Sequence, residues 1–185
     1  MSYATMFAFR QDGDFETFAE YKNAWHGAML IWNSMAERYH TPFNLIDEKS
    51  MNALWGLVDN PKIPIHDRIT LCTTFDRMVV YAGDFPRLVA ALRESAKWIP
   101  QHCHITKIAN DIEKIMELNA KCSDHTLHII GVAWNCTSVV DTWETGEIRM
   151  RKETDEKGRV DEYEEYVPYN INTHNKHHNL FESVQ

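Results

Sequence analysis

Apolar residues recur along the chain with two different periods, and the switches between them lay out the expected secondary structure. Ala4 to Phe9 is a short apolar run, followed by Gln11-Asp12-Gly13-Asp14. An Asp-Gly pair between apolar runs favours a hairpin, because glycine readily takes the positive φ of a tight turn. Phe15 to Tyr21 is therefore expected to return as a second strand. From Asn23 the period lengthens. Trp25, Ala28, Met29, Trp32, Met35, Ala36 and Tyr39 stand at offsets 0, 3, 4, 7, 10, 11 and 14, one face of a helix. Leu30 and Ile31 widen that face, and Pro42 ends it.

Asp47 is placed to cap a second helix that buries Met51, Leu54, Trp55 and Val58, with Asn60-Pro61 closing it. Beyond Pro64, Ile69, Leu71, Thr73 and Phe75 alternate with Thr70, Cys72 and Thr74, the pattern of a half-buried strand. A turn at Asp76-Arg77 would pair it with Met78 to Tyr81. Asp84-Phe85-Pro86 reads as a helix start with Asp84 as cap and Pro86 in the first turn. Leu88, Val89 and Leu92 would face the core until Pro100. Thr106 is expected to cap the next helix, whose stripe is Ile108, Ile112, Ile115 and Met116. Thr126 to Trp134 is almost continuously apolar, as in a central strand buried on both faces. Ile148 to Glu153 and Val160 to Val167 form a long charged hairpin around Glu156-Lys157-Gly158.

The order is thus ββαα, ββαα and three strands, an α+β fold. It predicts a mixed or mainly antiparallel sheet with about four helices packed on it, and the charged β-hairpin near the C-terminus. Residues 1–168 are expected to form a single domain. Residues 169–185, rich in Asn and His, are expected to be a loosely ordered tail. The two similar halves carry no residue-level match that would mark a duplication.

Composition narrows the functional classes. Of 185 residues, 44% are apolar and 25% charged, so the chain can bury a core without disulfides or metal. Nineteen basic against twenty-seven acidic residues give −8, which argues against direct nucleic-acid binding. No stretch approaches the ~20 apolar residues of a membrane helix. Met1 to Arg10 lacks the basic start of a secretory signal. Cys72, Cys103, Cys122 and Cys136 are too sparse for a disulfide scaffold. A cytoplasmic, acidic, soluble protein with reduced thiols is the expectation.

Candidate chemistry is sparse. His102, His104, Cys122 and His125 are imidazoles and thiols of the kind that ligate zinc, but they lack the paired spacing of a zinc motif. Thr106 completes a single His104-Ile105-Thr106 triplet, and a two-histidine phosphoesterase needs two such motifs. Cys136 follows the central strand, where sheet-based sites often place polar groups. His125 or His128 would serve as its base, and Asp141 lies just beyond. His174, His177 and His178 form a tail tract able to take up metal adventitiously. In the charged hairpin, Glu162, Tyr163, Glu164, Glu165 and Tyr166 alternate acids with tyrosines. Such a surface suits a basic protein partner, although charge on exposed strands also discourages edge aggregation. Glycine-rich phosphate loops, nucleophile elbows and kinase signatures are missing from the sequence.

These signals favour a small cytosolic regulatory or interaction protein that recognises another protein through its surface and needs no cofactor. The alternative is a hydrolase with a Cys/His site, zinc-dependent in one version. The reading leans away from an enzyme, and many active sites leave no motif.

Overall fold

A computed structural model describes residues 3–22, 24–75, 78–100, 105–135, 146–154, 158–168 and 178–184. The expected opening hairpin is present: β1 (Tyr3–Arg10) pairs antiparallel with β2 (Phe15–Lys22). Gly13 turns between them at φ +97°, a conformation that L side chains rarely adopt. Helix α1 (Ala24–Arg38) follows, burying Ala28, Ile31, Trp32, Met35 and Ala36, the face set out by the sequence periodicity. It ends with His40 at φ 50°. The Thr41 amide donates to the Ala36 carbonyl at 2.9 Å, closing the last turn.

Helix α2 (Glu48–Trp55) is capped as expected, Asp47 accepting from the Ser50 amide at 3.0 Å. These bonds lower the Asp47 pKa, the Ser50 hydroxyl contributing most. The next element departs from expectation. Residues assigned to a strand at Ile69–Phe75 belong instead to helix α3 (Ile65–Cys72) and the turn after it. Every residue from Asp67 to Thr74 is buried, so beyond its first two residues the helix has no solvent face and no amphipathic period to read. Its threonines suit this position. The Thr73 hydroxyl donates to the Thr70 carbonyl at 2.6 Å and that of Thr74 to Leu71 at 2.7 Å, so their polar ends are satisfied locally.

Strand β3 (Met78–Tyr81) leads through a 3-10 turn at Ala82–Asp84 into α4 (Phe85–Ser95). Asp84 makes no capping bond there; its carboxylate pairs with Arg87 at 2.7 Å. Helix α5 (Ile105–Lys121) buries Ile108, Ile112 and Ile115 as expected, and Thr106 stands inside its first turn. A 3-10 turn at His125–Leu127 precedes β4 (Ile129–Asn135). The remaining strands are β5 (Gly146–Thr154), β6 (Val160–Pro168) and the two-residue β7 (His178–Asn179).

Among the described residues the strands form two sheets, one of five strands in the order β2-β1-β4-β3-β7, the other formed by β5 and β6. All pairings are antiparallel except β3 with β7, which makes the larger sheet mixed. The apolar strand β4 is central, as its composition requires. Val132 stands between Ala8 and Val80 in the main core with the helices, and Ala133 between Phe7 and Val79 in a second cluster that includes Phe9. Phe15 packs on this second cluster, its ring 5.9 Å from Phe9 and 6.3 Å from Phe7. The outer edge at β2 is partly covered, since the Lys107 ammonium donates to the Glu20 carbonyl at 2.8 Å.

The end of the chain corrects the expected loose tail in part. Residues 169–177 lie outside the described residues, but 178–184 are docked. The Leu180 amide donates to the Val79 carbonyl at 2.9 Å, and Leu180, Phe181 and Val184 are buried in the main core. Three apolar side chains spaced 180, 181 and 184 gave one turn's worth of helical pattern, which the surrounding Asn and His composition obscured.

Candidate functional site

The arm formed by β5 and β6 carries the residues singled out as a partner surface. Its strands pair in a continuous antiparallel register from Gly146 opposite Pro168 to Thr154 opposite Val160. Gly158, at φ +77°, supplies the left-handed residue expected near the tip. Alternation sends neighbouring side chains to opposite faces, so the acidic run is divided. Glu162 and Glu164 share a face with Ile148, Met150, Lys152 and Val160; Tyr163 and Glu165 share the other with Arg149, Arg151 and Glu153. In the backbone register Tyr166 is the partner of Ile148.

Some of the acids are matched by neighbours within the arm. Lys152 pairs with Glu162 at 2.5 Å, and Arg151 pairs with Glu165, which raises the arginine pKa further. The Tyr163 phenol donates to Glu153 at 3.1 Å, and that bond is the main cause of its raised pKa. Apolar groups on the first face are left in water: Ile148 is 67% exposed, Met150 58% and Val160 55%. The Lys152–Glu162 row stands between Met150 and Val160 on this face.

The histidines and cysteine between α5 and β4 do come together. The rings of His125 and His128 lie 4.7 Å apart, centroid to centroid. His128 Nε2 meets the Cys122 carbonyl at 3.0 Å, and the Cys122 thiol reaches the Asp124 carbonyl at 3.3 Å. Asp124 caps the 3-10 turn through the Thr126 amide and hydroxyl, which hold its carboxylate below its usual pKa, the hydroxyl contributing most. Asn119 clamps the first residue of β4, accepting from the Ile129 amide at 2.9 Å and donating to its carbonyl at 2.8 Å. These contacts are what a tight helix-to-strand corner needs to satisfy its backbone. His102, His104, Cys136 and Asp141 lie outside the described residues, as do His174 and His177. Among the described residues, no group of three or more His, Cys, Asp and Glu is placed to hold a metal ion.

Sequence reasoning missed a third constellation, centred on Asp67. Its carboxylate is wholly buried and gathers donors from three helices. The Ser95 hydroxyl from α4 donates to Oδ1 at 2.7 Å and the Trp98 indole at 3.2 Å; the Tyr39 phenol, at the end of α1, donates to Oδ2. Arg38 Nε lies 3.7 Å from Oδ2, and His66 Nε2 3.6 Å from Oδ1. The Arg38 guanidinium also stacks on the Trp98 ring at 4.3 Å. Burial, and then the bond to Asp67, push the Tyr39 pKa up to about 12.

This set contains Ser, His and Asp, yet the order of contacts is not that of a catalytic triad. In a triad the imidazole stands between hydroxyl and carboxylate to take the proton. Here the hydroxyl bonds the carboxylate directly, Ser95 is fully buried, and Thr70 donates to its oxygen at 2.9 Å. The arrangement ties α1, α3 and α4 together. A buried Cys72 nearby is similarly unsuited to nucleophilic work, because burial pushes its thiol up to about 12. No sequence signal marked Asp67, since it was placed in no apolar stripe and no motif.

No helix among the described residues is long and apolar enough to cross a membrane. The chain matches no family model, and no curated protein or solved structure is significantly similar to it.

Proposed function

We propose that this is a small cytoplasmic interaction protein that works by surface recognition of another protein chain, with the β5–β6 arm as its contact element. The observation that carries the reading is the exposure of Ile148, Met150 and Val160 on one face of a two-stranded sheet. Isolated two-stranded ribbons are marginal in water and gain stability from a third strand or a packed face. Exposed apolar groups ringed by charge are also the composition of a recognition surface, where the apolar centre supplies affinity and the charged rim supplies orientation.

The test is affinity capture from the native cell with the full chain and with two arm variants. One reverses charge at Glu162→Lys, Glu164→Lys and Glu165→Lys; the other places Ile148→Asp and Met150→Asp on the apolar face. Wild type should retain a partner that both variants lose, while far-UV circular dichroism and the melting temperature of the body stay unchanged. A partner held equally by all three proteins would overturn the reading.

A further inference from the structure

The two sides of the five-stranded sheet are guarded in different ways. On one side β2 carries Glu16, Glu20 and Lys22, and Lys107 reaches over to its Glu20 carbonyl. Charge along an outer strand discourages pairing with another strand. On the other side β3 reads Met78-Val79-Val80-Tyr81, without a single charge. Bare, that edge would be an apolar template for strand addition. Residues 178–184 cover it. His178 and Asn179 pair with Met78 and Val79, and the Leu180 amide donates to the Val79 carbonyl at 2.9 Å.

The cover holds its own shape. The Asn179 side chain accepts from the Phe181 amide at 3.0 Å and donates to Glu182 at 3.2 Å. The Asn179 carbonyl accepts the amides of Glu182 and Ser183, both at 3.2 Å. Its grip on the body is a two-residue pairing, the one parallel contact of this sheet, together with the buried Leu180, Phe181 and Val184. Arg87 stacks over the Phe181 ring at 4.3 Å. The strand beneath has a separate anchor, since all four residues of β3 pair with β4, which in turn pairs with β1. Lifting the cover therefore breaks few contacts and leaves four antiparallel strands joined.

We propose that residues 178–184 are a latch that opens as a unit while the rest of the fold stays intact, and that the edge it bares pairs antiparallel with β3 of a second copy. Centred on β3, such a pairing sets Met78 opposite Tyr81 and Val79 opposite Val80, with no charge on either strand to oppose it. The contact is twofold and joins two sheets into one. Closed, the latch inhibits it: its strand is only two residues long and Glu182 follows at once, both features that blunt an edge. The inference does not depend on the β5–β6 arm.

Two measurements on the full chain test it. In native-state hydrogen exchange of the wild type, the Leu180 amide should exchange at least about tenfold faster than those of Val132 and Ala133 in β4, because the latch opens without global unfolding. The second uses the variant Leu180→Asp with Phe181→Asp, which puts charge on two buried anchors and holds the latch open. It should keep cooperative thermal unfolding and its strand signal in far-UV circular dichroism. In sedimentation velocity from about 1 to about 100 µM it should associate at least about tenfold more tightly than the wild type, and residues 78–81 should gain exchange protection as it does so.

A Leu180 amide that exchanges no faster than β4 overturns the latch, and so does a variant that unfolds, since the sheet would then need the segment. A folded variant that associates no more tightly than the wild type, or that associates without protecting residues 78–81, overturns the pairing through β3.

Discussion

The hydroxyl of Ser95 donates to Oδ1 of Asp67 at 2.7 Å, joining α4 to α3 at a point where neither side chain meets water. The carboxylate is balanced mostly by neutral donors, with Arg38 as the neighbouring cation at its edge. Removing it takes the acceptor away from the buried Ser95 hydroxyl and from the half-buried Tyr39 and Trp98 donors. Asp67→Ala should therefore lose about 3–5 kcal/mol of unfolding free energy, the range for breaking a buried ionic network from one side. Ser95→Ala should cost about 1–2 kcal/mol, since the carboxylate keeps its other partners. Urea unfolding of both single variants and the double variant measures the coupling, expected at about 1 kcal/mol. Strictly additive losses would mean that the bond contributes nothing of its own.

Alkaline pH should destabilise the fold through the buried Cys72 and the half-buried Tyr39. Cys72 is raised from 9.0 to about 12 and Tyr39 from 10.0 to about 12, both chiefly by burial. Between those limits the unfolded chain releases protons that the folded chain keeps, so stability falls as pH rises. Their contribution is complete below pH 9 and is lost as pH approaches 12. The Cys72 contribution sets in first, with a limiting slope of about 1.4 kcal/mol per pH unit. A pH series of urea midpoints should show a shallower decline above pH 9 in Cys72→Ala than in wild type.

His40 pays a conformational cost to close α1. Its φ of 50° lies in the left-handed region, where a side chain with a Cβ is disfavoured and glycine is not. His40→Gly should stabilise the protein by about 0.5–1 kcal/mol, a rise of about 2 °C in melting temperature for a chain of this size. Calorimetry decides it; a fall in melting temperature would mean that the imidazole makes a contact worth more than the backbone relief.

The docked end of the chain makes an opposite claim to that of a loose tail. Leu180 is fully buried among core residues. Leu180→Ala should cost about 2–5 kcal/mol, the cavity cost of such a truncation in a packed interior. A substitution in a solvated tail would stay within about 0.5 kcal/mol, so thermal unfolding separates the two cleanly.

Much of the fold was legible because its elements have one wet face and one dry face. The periodicity of α1 and α5, the Asp12-Gly13 turn, the cap at Asp47 and the almost continuously apolar run of β4 are local patterns with local causes, and each leads to the element found. The charged arm was legible for the same reason, because alternation along β5 and β6 is a property of the strands themselves. Helix α3 was not. From Asp67 on it is buried on all sides, so its helical period has no polar face to display, and the threonines at 70, 73 and 74 imitate a strand, the last two bonding back to its final turn. Nor was Asp67 legible, because its partners come from residues 38 and 39, 66, 95 and 98, which only packing brings together. The sequence by itself determined the α+β class, most of the elements and the charge carried by each strand of the arm. Tertiary structure decided which face each charge occupies, where the end of the chain docks and which carboxylate is buried, because those depend on register and on neighbours distant in sequence.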